Sequence, residues 1–264
     1  MFDWPPSFFR KRPAKPRIER LEVLHLGRSY PVAIRRNATA RRLILRVRAD
    51  TGEAVLTLPR RTNMSQARDF LDRHGGWLAA RMARLPEAVA FEPGCIVPFR
   101  GLPHVIEHAG SARGGVECRP GVDGDPGRLI VAGDPRHLAR RLTDFFKREA
   151  RAELARASAA YARQLNVRIT RISIKDTRSR WGSCSATGAL SFSWRLILAP
   201  PEVLDYLAAH EVAHRVELNH SPRYWAVVAR LCPHWQSSES WLTRHGAGLH
   251  RFGASDAATV APLP

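Results

Sequence analysis

The sequence has few cysteines and no long apolar run. Its four cysteines, Cys95, Cys118, Cys184 and Cys232, are far apart and form no C-x-x-C pair. This spacing indicates neither a disulfide framework nor a thiolate metal site, and it fits reduced thiols in a cytoplasmic protein. No apolar stretch approaches the ~20 residues of a membrane-spanning helix, so no transmembrane segment is expected. Proline and arginine interrupt the first residues, which therefore lack the apolar core of a signal peptide.

Acidic residues are scarce relative to basic ones. The 264-residue chain has 24 Asp and Glu against 42 Lys and Arg, which gives a net charge of +18. Such a charge attracts nucleic acid, nucleotides or an acidic membrane surface. Because the basic residues are dispersed, a solvated basic surface explains the charge equally well. No helix-turn-helix, zinc-finger or RNA-binding signature is present, so nucleic acid is a possible partner only through the basic surface.

The pattern along the chain predicts two folded regions between two disordered ends. Residues 1–17 are proline-rich and basic and are predicted to form a disordered arm. Residues 18–134 are predicted to be a strand-rich region with one helix near residues 65–85, because short β-branched segments alternate with Gly and Pro turns. Residues 135–250 begin with a long arginine-rich helix and form the predicted catalytic domain, and residues 251–264 are a predicted disordered tail. No internal repeat is visible, and the expected fold class is α+β.

One segment, PEVLDYLAAHEVAHRVELNHSPRYW, carries the chemistry. His210 and His214 are one turn apart on a predicted helix and project from the same face. Two imidazoles at this spacing can bind one metal ion through ring nitrogens. Glu211 points about a quarter turn away, where its carboxylate can act as general base toward a metal-activated water molecule. This is the H-E-x-x-H arrangement of metallohydrolases.

His220 is predicted to be the third metal ligand, which leaves the fourth position open to water and substrate. The chain must turn back between His214 and His220, and Asn219 can end the helix because Asn tolerates the left-handed conformation. Glu217 lies one turn beyond His214 on the predicted helix. It is either a ligand or, as we prefer, an acceptor for the second N–H of a ligating histidine. Three imidazoles with an open position favour zinc over other divalent metals.

At these residues the chain resembles the YgjP-like metallopeptidase family, relatives of the SprT and WLM zincins. The resemblance follows residues 20–250 in the order of elements and is specific over RWGSCSATGALSFSWRLILAPPEVLDYLAAHEVAHRVELNHSPRYW and the downstream PHW and WL. It implies a zincin-like catalytic half preceded by a small strand-rich N-terminal region, with the three histidines as zinc ligands and Glu211 as base. Glu217 occupies the place of the metzincin glycine and no Met-turn is visible, so metzincin membership is not expected.

The resemblance also places the RWGSC segment beside the active-site helix. In zincins an edge strand near the metal helix binds extended substrate by backbone pairing. Trp181, Gly182 and Ser183 are therefore predicted to bind substrate. Arg180, together with Arg178, is a candidate to stabilise the oxyanion of the transition state.

The leading functional hypothesis is hydrolysis of peptide bonds in a peptide or protein substrate. An alternative is hydrolysis of a nucleotide phosphoanhydride, because Arg178, Arg180, Arg195 and Arg215 lie near the motif and suit an anionic substrate. A third hypothesis is a DNA-associated, SprT-like protease in which the basic helix of residues 135–166 holds DNA.

Overall fold

A computed structural model describes most of the chain, and the described residues divide into two compact units. The described ranges are 19–48, 52–84, 88–110, 114–177 and 180–253. The first unit takes in residues 19–48 and 53–84, and the second takes in the described chain from residue 88 to residue 253. The predicted arm of residues 1–17 lies outside the described residues, as does the predicted tail beyond residue 253.

The first unit contains one four-stranded sheet. Its strands in chain order are β1 (Glu19–His25), β2 (Arg28–Asn37), β3 (Ile44–Val47) and β4 (Ala54–Pro59). Their spatial order is β1-β2-β4-β3. The strand β2 pairs antiparallel with β1 and parallel with β4, and β3 pairs antiparallel with β4. Alternate residues of β4 are buried, as expected for a sheet with one face on a core.

Two helices complete this unit, α1 (Met64–Arg73) and α2 (Gly75–Ala83). Asn63 caps α1 by accepting from the amide of Gln66, whose side chain accepts in return from the Asn63 amide. The sequence predicts one helix over this stretch, and the structure has two. The interruption falls at His74, directly before two glycines that disfavour a continuous helix.

The second unit opens with a sheet that repeats the topology of the first. Its strands are β5 (Ile96–Phe99), β6 (Leu102–His108), β7 (Val116–Arg119) and β8 (Gly127–Val131). The order β5-β6-β8-β7 and the senses of all three pairings match those of β1 to β4. The two sheets therefore share the same strand order and pairing, although the sequence shows no repeat.

A long helix, α3 (Leu138–Gln164), packs its apolar side into the core of the second unit. The same core contains Phe99, Ile106 and Leu129 of the preceding sheet. The ring of Phe146 stacks on Trp194 at 5.9 Å between centroids. Burying a side chain of this size stabilises the fold by about 1.5–3 kcal/mol. The sheet β5–β8 thus belongs to the unit of the predicted catalytic domain, whereas the expected boundary lay after residue 134.

The remaining elements position the metal motif. They are β9 (Arg171–Lys175), β10 (Gly182–Cys184), β11 (Ala189–Ser193), a short 3-10 helix (Trp194–Leu198), α4 (Pro201–Ala213), α5 (Pro222–Leu231) and α6 (Trp235–Leu249). The strand β11 lies between β9 and β10, so β10 is an edge strand of this sheet. The described elements make an α+β fold, as predicted. None of the described helices is long and apolar enough to cross a membrane.

Candidate metal centre

The helix α4 carries the motif through the core. Pro201 lies in the first turn of α4, where a backbone N–H has no partner within the helix, so its missing N–H costs no hydrogen bond. Glu202 complements the positive end of the helix dipole. Most residues of α4 are buried, among them Val203 and Leu207 on one side and Val212 on the opposite side. A helix that is buried nearly all round holds its side chains in fixed directions, which suits the positioning of metal ligands.

The end of α4 differs from the prediction. Its last residue is Ala213 with His214 as the C-cap, and the amide of Val216 bonds back to the Ala213 carbonyl in a tighter, 3-10-type turn. The next apolar residues, Val216 and Leu218, are exposed in the segment that follows. Asn219 does not have the left-handed conformation expected of it, because the helix has already ended before it.

Three imidazoles converge after this turn. One ring nitrogen from each of His210, His214 and His220 lies within 4.8 Å of the other two. The Nε2 atoms of His210 and His220 are 3.3 Å apart. Tetrahedral zinc with Zn–N bonds of about 2.0–2.1 Å requires ligand nitrogens about 3.3 Å apart. The nitrogens of His210 and His220 therefore have the spacing of two ligands of one zinc ion, and a nitrogen of His214 lies within 4.8 Å of both.

The second nitrogen of two of these rings is held by hydrogen bonds. Nδ1 of His214 lies 3.2 Å from the Glu217 carbonyl, and a carbonyl only accepts, so Nδ1 carries the proton and Nε2 keeps its lone pair. Nδ1 of His210 lies 3.3 Å from the hydroxyl of Tyr206. The main-chain carbonyl of Glu217 thus orients His214, whereas the prediction concerned the Glu217 side chain on a longer helix.

Aromatic side chains line the histidines. Ser221 caps α5 by accepting from the amide of Tyr224. The ring of Tyr224 stacks on His214 at 4.6 Å, and its hydroxyl donates to the His210 carbonyl at 3.0 Å. Trp225, from the same turn, stacks on His220 at 5.8 Å. These contacts help to hold the imidazoles in place.

Tyr206 and Tyr224 are absent from the predicted site. The signal for Tyr206 is present in the sequence, since it precedes His210 by one helical turn and shares its face. Tyr224 follows His220 by four residues in the sequence. Its contact with His214 depends on the angle between α4 and α5, which no local pattern specifies.

Burial changes the protonation of the site. It lowers the pKa of His210 to about 3, with a further contribution from the neighbouring His214 and His220. The pKa of His214 is lowered for the same first cause. Burial raises the pKa of Glu211 to about 8, and the charge of Arg180 opposes this rise. Neutral imidazoles are ready to bind a metal ion, and Glu211 has the raised pKa of a group that exchanges protons near neutral pH.

The edge strand β10 lies against Glu211. A Cβ atom at Gly182 would overlap the Glu211 carboxylate, so the backbone of β10 approaches the buried acid at this residue. Ser183 follows in the same strand and pairs with Ser191 of β11. The ring of Trp181 stacks on His250 at 4.9 Å, and its carbonyl accepts from the amide of Ser193. The structure therefore brings Gly182 to the site, while the partly buried ring of Trp181 packs against His250.

Two of the four arginines suggested for an anionic substrate have structural partners. The guanidinium of Arg195 is buried and donates to Asp176 and to the carbonyl of Phe252. Arg215 donates to the carbonyl of Ala186 at 2.8 Å, in the turn between β10 and β11. Arg180 is exposed beside Glu211. Arg178 lies outside the described residues.

Comparison with known proteins agrees with this geometry. A family model for the YgjP-like metallopeptidase domain matches residues 41–245, which include the histidines and the edge strand. Searches of curated proteins and of solved structures find no match. A metallopeptidase domain over most of the chain makes the protein, at the level of the family, a metal-dependent hydrolase of peptides. The chain belongs to the YgjP-like metallopeptidase family.

Proposed function

We propose that this protein is a zinc-dependent peptidase whose metal is held by His210, His214 and His220, with Glu211 as general base. The observation that carries the proposal is the approach of two Nε2 atoms to 3.3 Å. Facing lone pairs at this distance repel each other unless a proton or a cation lies between them. The Nδ1 atom of His214 is committed to a carbonyl, which leaves its Nε2 for a metal.

The chemistry divides between the metal and the chain. When bound, zinc supplies a Lewis acid that lowers the pKa of a water molecule toward about 7 and polarises a carbonyl. Glu211 accepts a proton from the attacking water molecule and passes it to the leaving amine. In the metal-free site, burial raises the pKa of Glu211 to about 8. A divalent charge nearby lowers this pKa, so the carboxylate is ionised when the site is loaded.

The edge strand β10 is the proposed substrate cradle. Gly182 and Ser183 present backbone groups beside Glu211, and an extended peptide could add to this edge by main-chain hydrogen bonds. Arg180, exposed and close enough for its charge to act on Glu211, is the proposed stabiliser of the oxyanion. Glycine at position 182 allows the substrate backbone and the general base to come close together.

We prefer peptide hydrolysis to phosphoanhydride hydrolysis because two of the arginines near the motif already have structural partners. A triphosphate needs several free guanidinium groups converging on one site. Arg195 is buried in an ion pair with Asp176, and Arg215 holds a turn through the carbonyl of Ala186. Association with DNA through the basic surface stays a prediction, which salt-dependent retention on DNA would test.

The experiment compares metal content and activity in four proteins: wild type, His220→Ala, Glu211→Gln and the control His245→Ala, an exposed histidine of α6. We expect His220→Ala to lose about one equivalent of zinc per chain and the control to lose none. Glu211→Gln should keep its zinc and cleave casein at least about 100-fold more slowly. A zinc content of His220→Ala equal to that of wild type would contradict the ligand set and favour Glu217. Cleavage of nucleoside triphosphates but not of casein would contradict the peptidase assignment.

A further inference from the structure

A second group of metal-binding side chains lies away from the three histidines. It consists of Asp205 on α4, Cys232 at the end of α5 and His234 at the start of α6. Their ligand atoms all lie within 4.8 Å of one another. The Cys232 Sγ atom is 3.4 Å from Nε2 of His234, and the same Nε2 is 3.9 Å from Oδ2 of Asp205.

The geometry does not match a proton relay. In a relay from carboxylate through imidazole to thiol, the two partners contact different ring nitrogens, so that one receives a proton as the other releases it. Here the thiol and the carboxylate both face Nε2 of His234. Three donor atoms that lie this close together are the arrangement expected of ligands that share a cation.

The three side chains are held by the fold. The hydroxyl of Tyr161, on α3, donates to Oδ2 of Asp205 at 2.5 Å and fixes the carboxylate. Cys232 is buried, its amide bonds to the Val228 carbonyl, and its own carbonyl accepts from the amide of Trp235. The short Cys-Pro-His connection between α5 and α6 is thus fixed at both ends. Bonds of this kind orient metal ligands and raise affinity.

This group is separate from the proposed catalytic site. Asp205 precedes His210 by five residues on α4, which places the two about 140° apart around the helix axis. Its neighbours come from the junction between α5 and α6, not from the loop that carries His220. The side chains of His234 and Asp205 are 46% and 37% exposed, so an ion has access from solvent.

We propose that Asp205, Cys232 and His234 bind a second divalent metal ion of the zinc class through one thiolate, one imidazole and one carboxylate. This donor set selects a borderline-soft cation, and water completes the tetrahedron. The thiol releases its proton on binding, because the thiolate is the ligand. The ion ties α4 to the α5–α6 junction and, through Tyr161, to α3, so its role is to stabilise the fold rather than to act on substrate.

Cobalt(II) titration of the metal-free protein tests the proposal, because a thiolate ligand gives cobalt a charge-transfer band in the near ultraviolet and imidazoles alone do not. We expect two equivalents to bind wild type, with the band present. Cys232→Ser should lose the band and one equivalent. Cys184→Ser, which changes a thiol that interacts electrostatically with Glu211, and Cys118→Ser, on β7, should keep both. A single equivalent without the band, or a band that survives in Cys232→Ser, would overturn the proposal.

Two further variants separate this site from the histidine site and from a failure to fold. His234→Ala changes a half-exposed residue and should weaken the binding that produces the band by at least about tenfold. His220→Ala should keep the band and lose the other equivalent. If His234→Ala binds cobalt like wild type, the second site does not exist, whatever the outcome at the three histidines. If His220→Ala binds like wild type, only the proposed function fails.

Discussion

The backbone of Gly182 approaches Glu211 so closely that a Cβ atom at residue 182 would overlap the carboxylate of the proposed general base. Because Glu211 is buried on α4, it cannot move aside into solvent. The strand that is proposed to bind substrate and the acid that is proposed to activate water are therefore in mutual contact. A change in one displaces the other.

Gly182→Ala is expected to lower peptidase activity by about 100-fold or more, because the methyl group displaces the Glu211 side chain. The zinc content should stay that of wild type, since no histidine contacts residue 182 in the described hydrogen bonds and ring contacts. The matched control is Gly248→Ala in α6, where an added Cβ would meet nothing within 4 Å. Casein cleavage and metal analysis on the three proteins provide the check. Full activity in Gly182→Ala would show that Glu211 does not need its present position.

Glu211→Gln is expected to change how the stability of the metal-free protein depends on pH. Burial raises the pKa of Glu211 from 4.5 to about 8 in the folded protein, so the folded state keeps a proton that the unfolded chain has lost. Its contribution to the free energy of unfolding is complete below 4.5 and is lost as the pH rises through about 8. The slope is at most about 1.4 kcal/mol per pH unit.

Urea unfolding of the two metal-free proteins from about pH 5 to about pH 9 measures this effect. The free energy of unfolding of wild type minus that of Glu211→Gln should fall over this range. The two proteins share His210, His214 and the charge of Arg180. The contributions of these groups are therefore expected to cancel in the difference. Parallel curves would mean that Glu211 is ionised in the metal-free fold.

The three histidines of the proposed metal site are the part that the sequence predicts most directly. His210 and His214 lie on one face of any helix that contains both, because the helical period alone places them there. The position of His220 needs a chain reversal, and the Ser-Pro start of α5 indicates one. The predicted helix end at Asn219 is wrong, because α4 ends at Ala213 and a 3-10-type turn follows it.

Contacts between distant segments are the part that the sequence does not predict. In each four-stranded sheet, two strands that are not consecutive in the chain, such as β2 and β4, lie side by side and run parallel. The strand that lies between them in the sequence is found at the edge of the sheet. Local alternation of apolar residues predicts the strands but not this order. The stacking of Tyr224 on His214 and the contact of Gly182 with Glu211 likewise depend on packing between elements far apart in the chain.

Tyr206→Phe is expected to weaken zinc binding by about 10- to 100-fold, because it removes the hydroxyl beside Nδ1 of His210 and leaves that ring less well oriented. The fold should be kept, since the ring stays in place. Tyr30→Phe, a buried tyrosine of the first unit, is the control. Competition with a chromogenic chelator measures both affinities. Equal affinities would show that the hydroxyl of Tyr206 does not orient the ligand.

Arg195→Ala is expected to destabilise the protein by about 3 kcal/mol, because a buried guanidinium that donates to Asp176 and to the carbonyl of Phe252 is lost. Urea unfolding should show this loss, and Arg163→Ala, at the exposed end of α3, should show almost none. Zinc content should stay unchanged in both. A stable Arg195→Ala protein with altered substrate preference would instead place Arg195 in the substrate site.

Arg180→Ala tests the proposed oxyanion role. We expect kcat to fall by about 100-fold with little change in KM, because an oxyanion is present only in the transition state and not in the bound substrate. Arg180→Lys, which keeps the charge but not the planar donor, should recover part of the loss. The charge of Arg180 also opposes the rise in the pKa of Glu211. Loss of this charge therefore shifts the pH–rate profile to higher pH, and the size of this shift separates the two effects. A loss that the shifted profile explains completely would make Arg180 a residue that tunes Glu211 and not one that contacts the substrate.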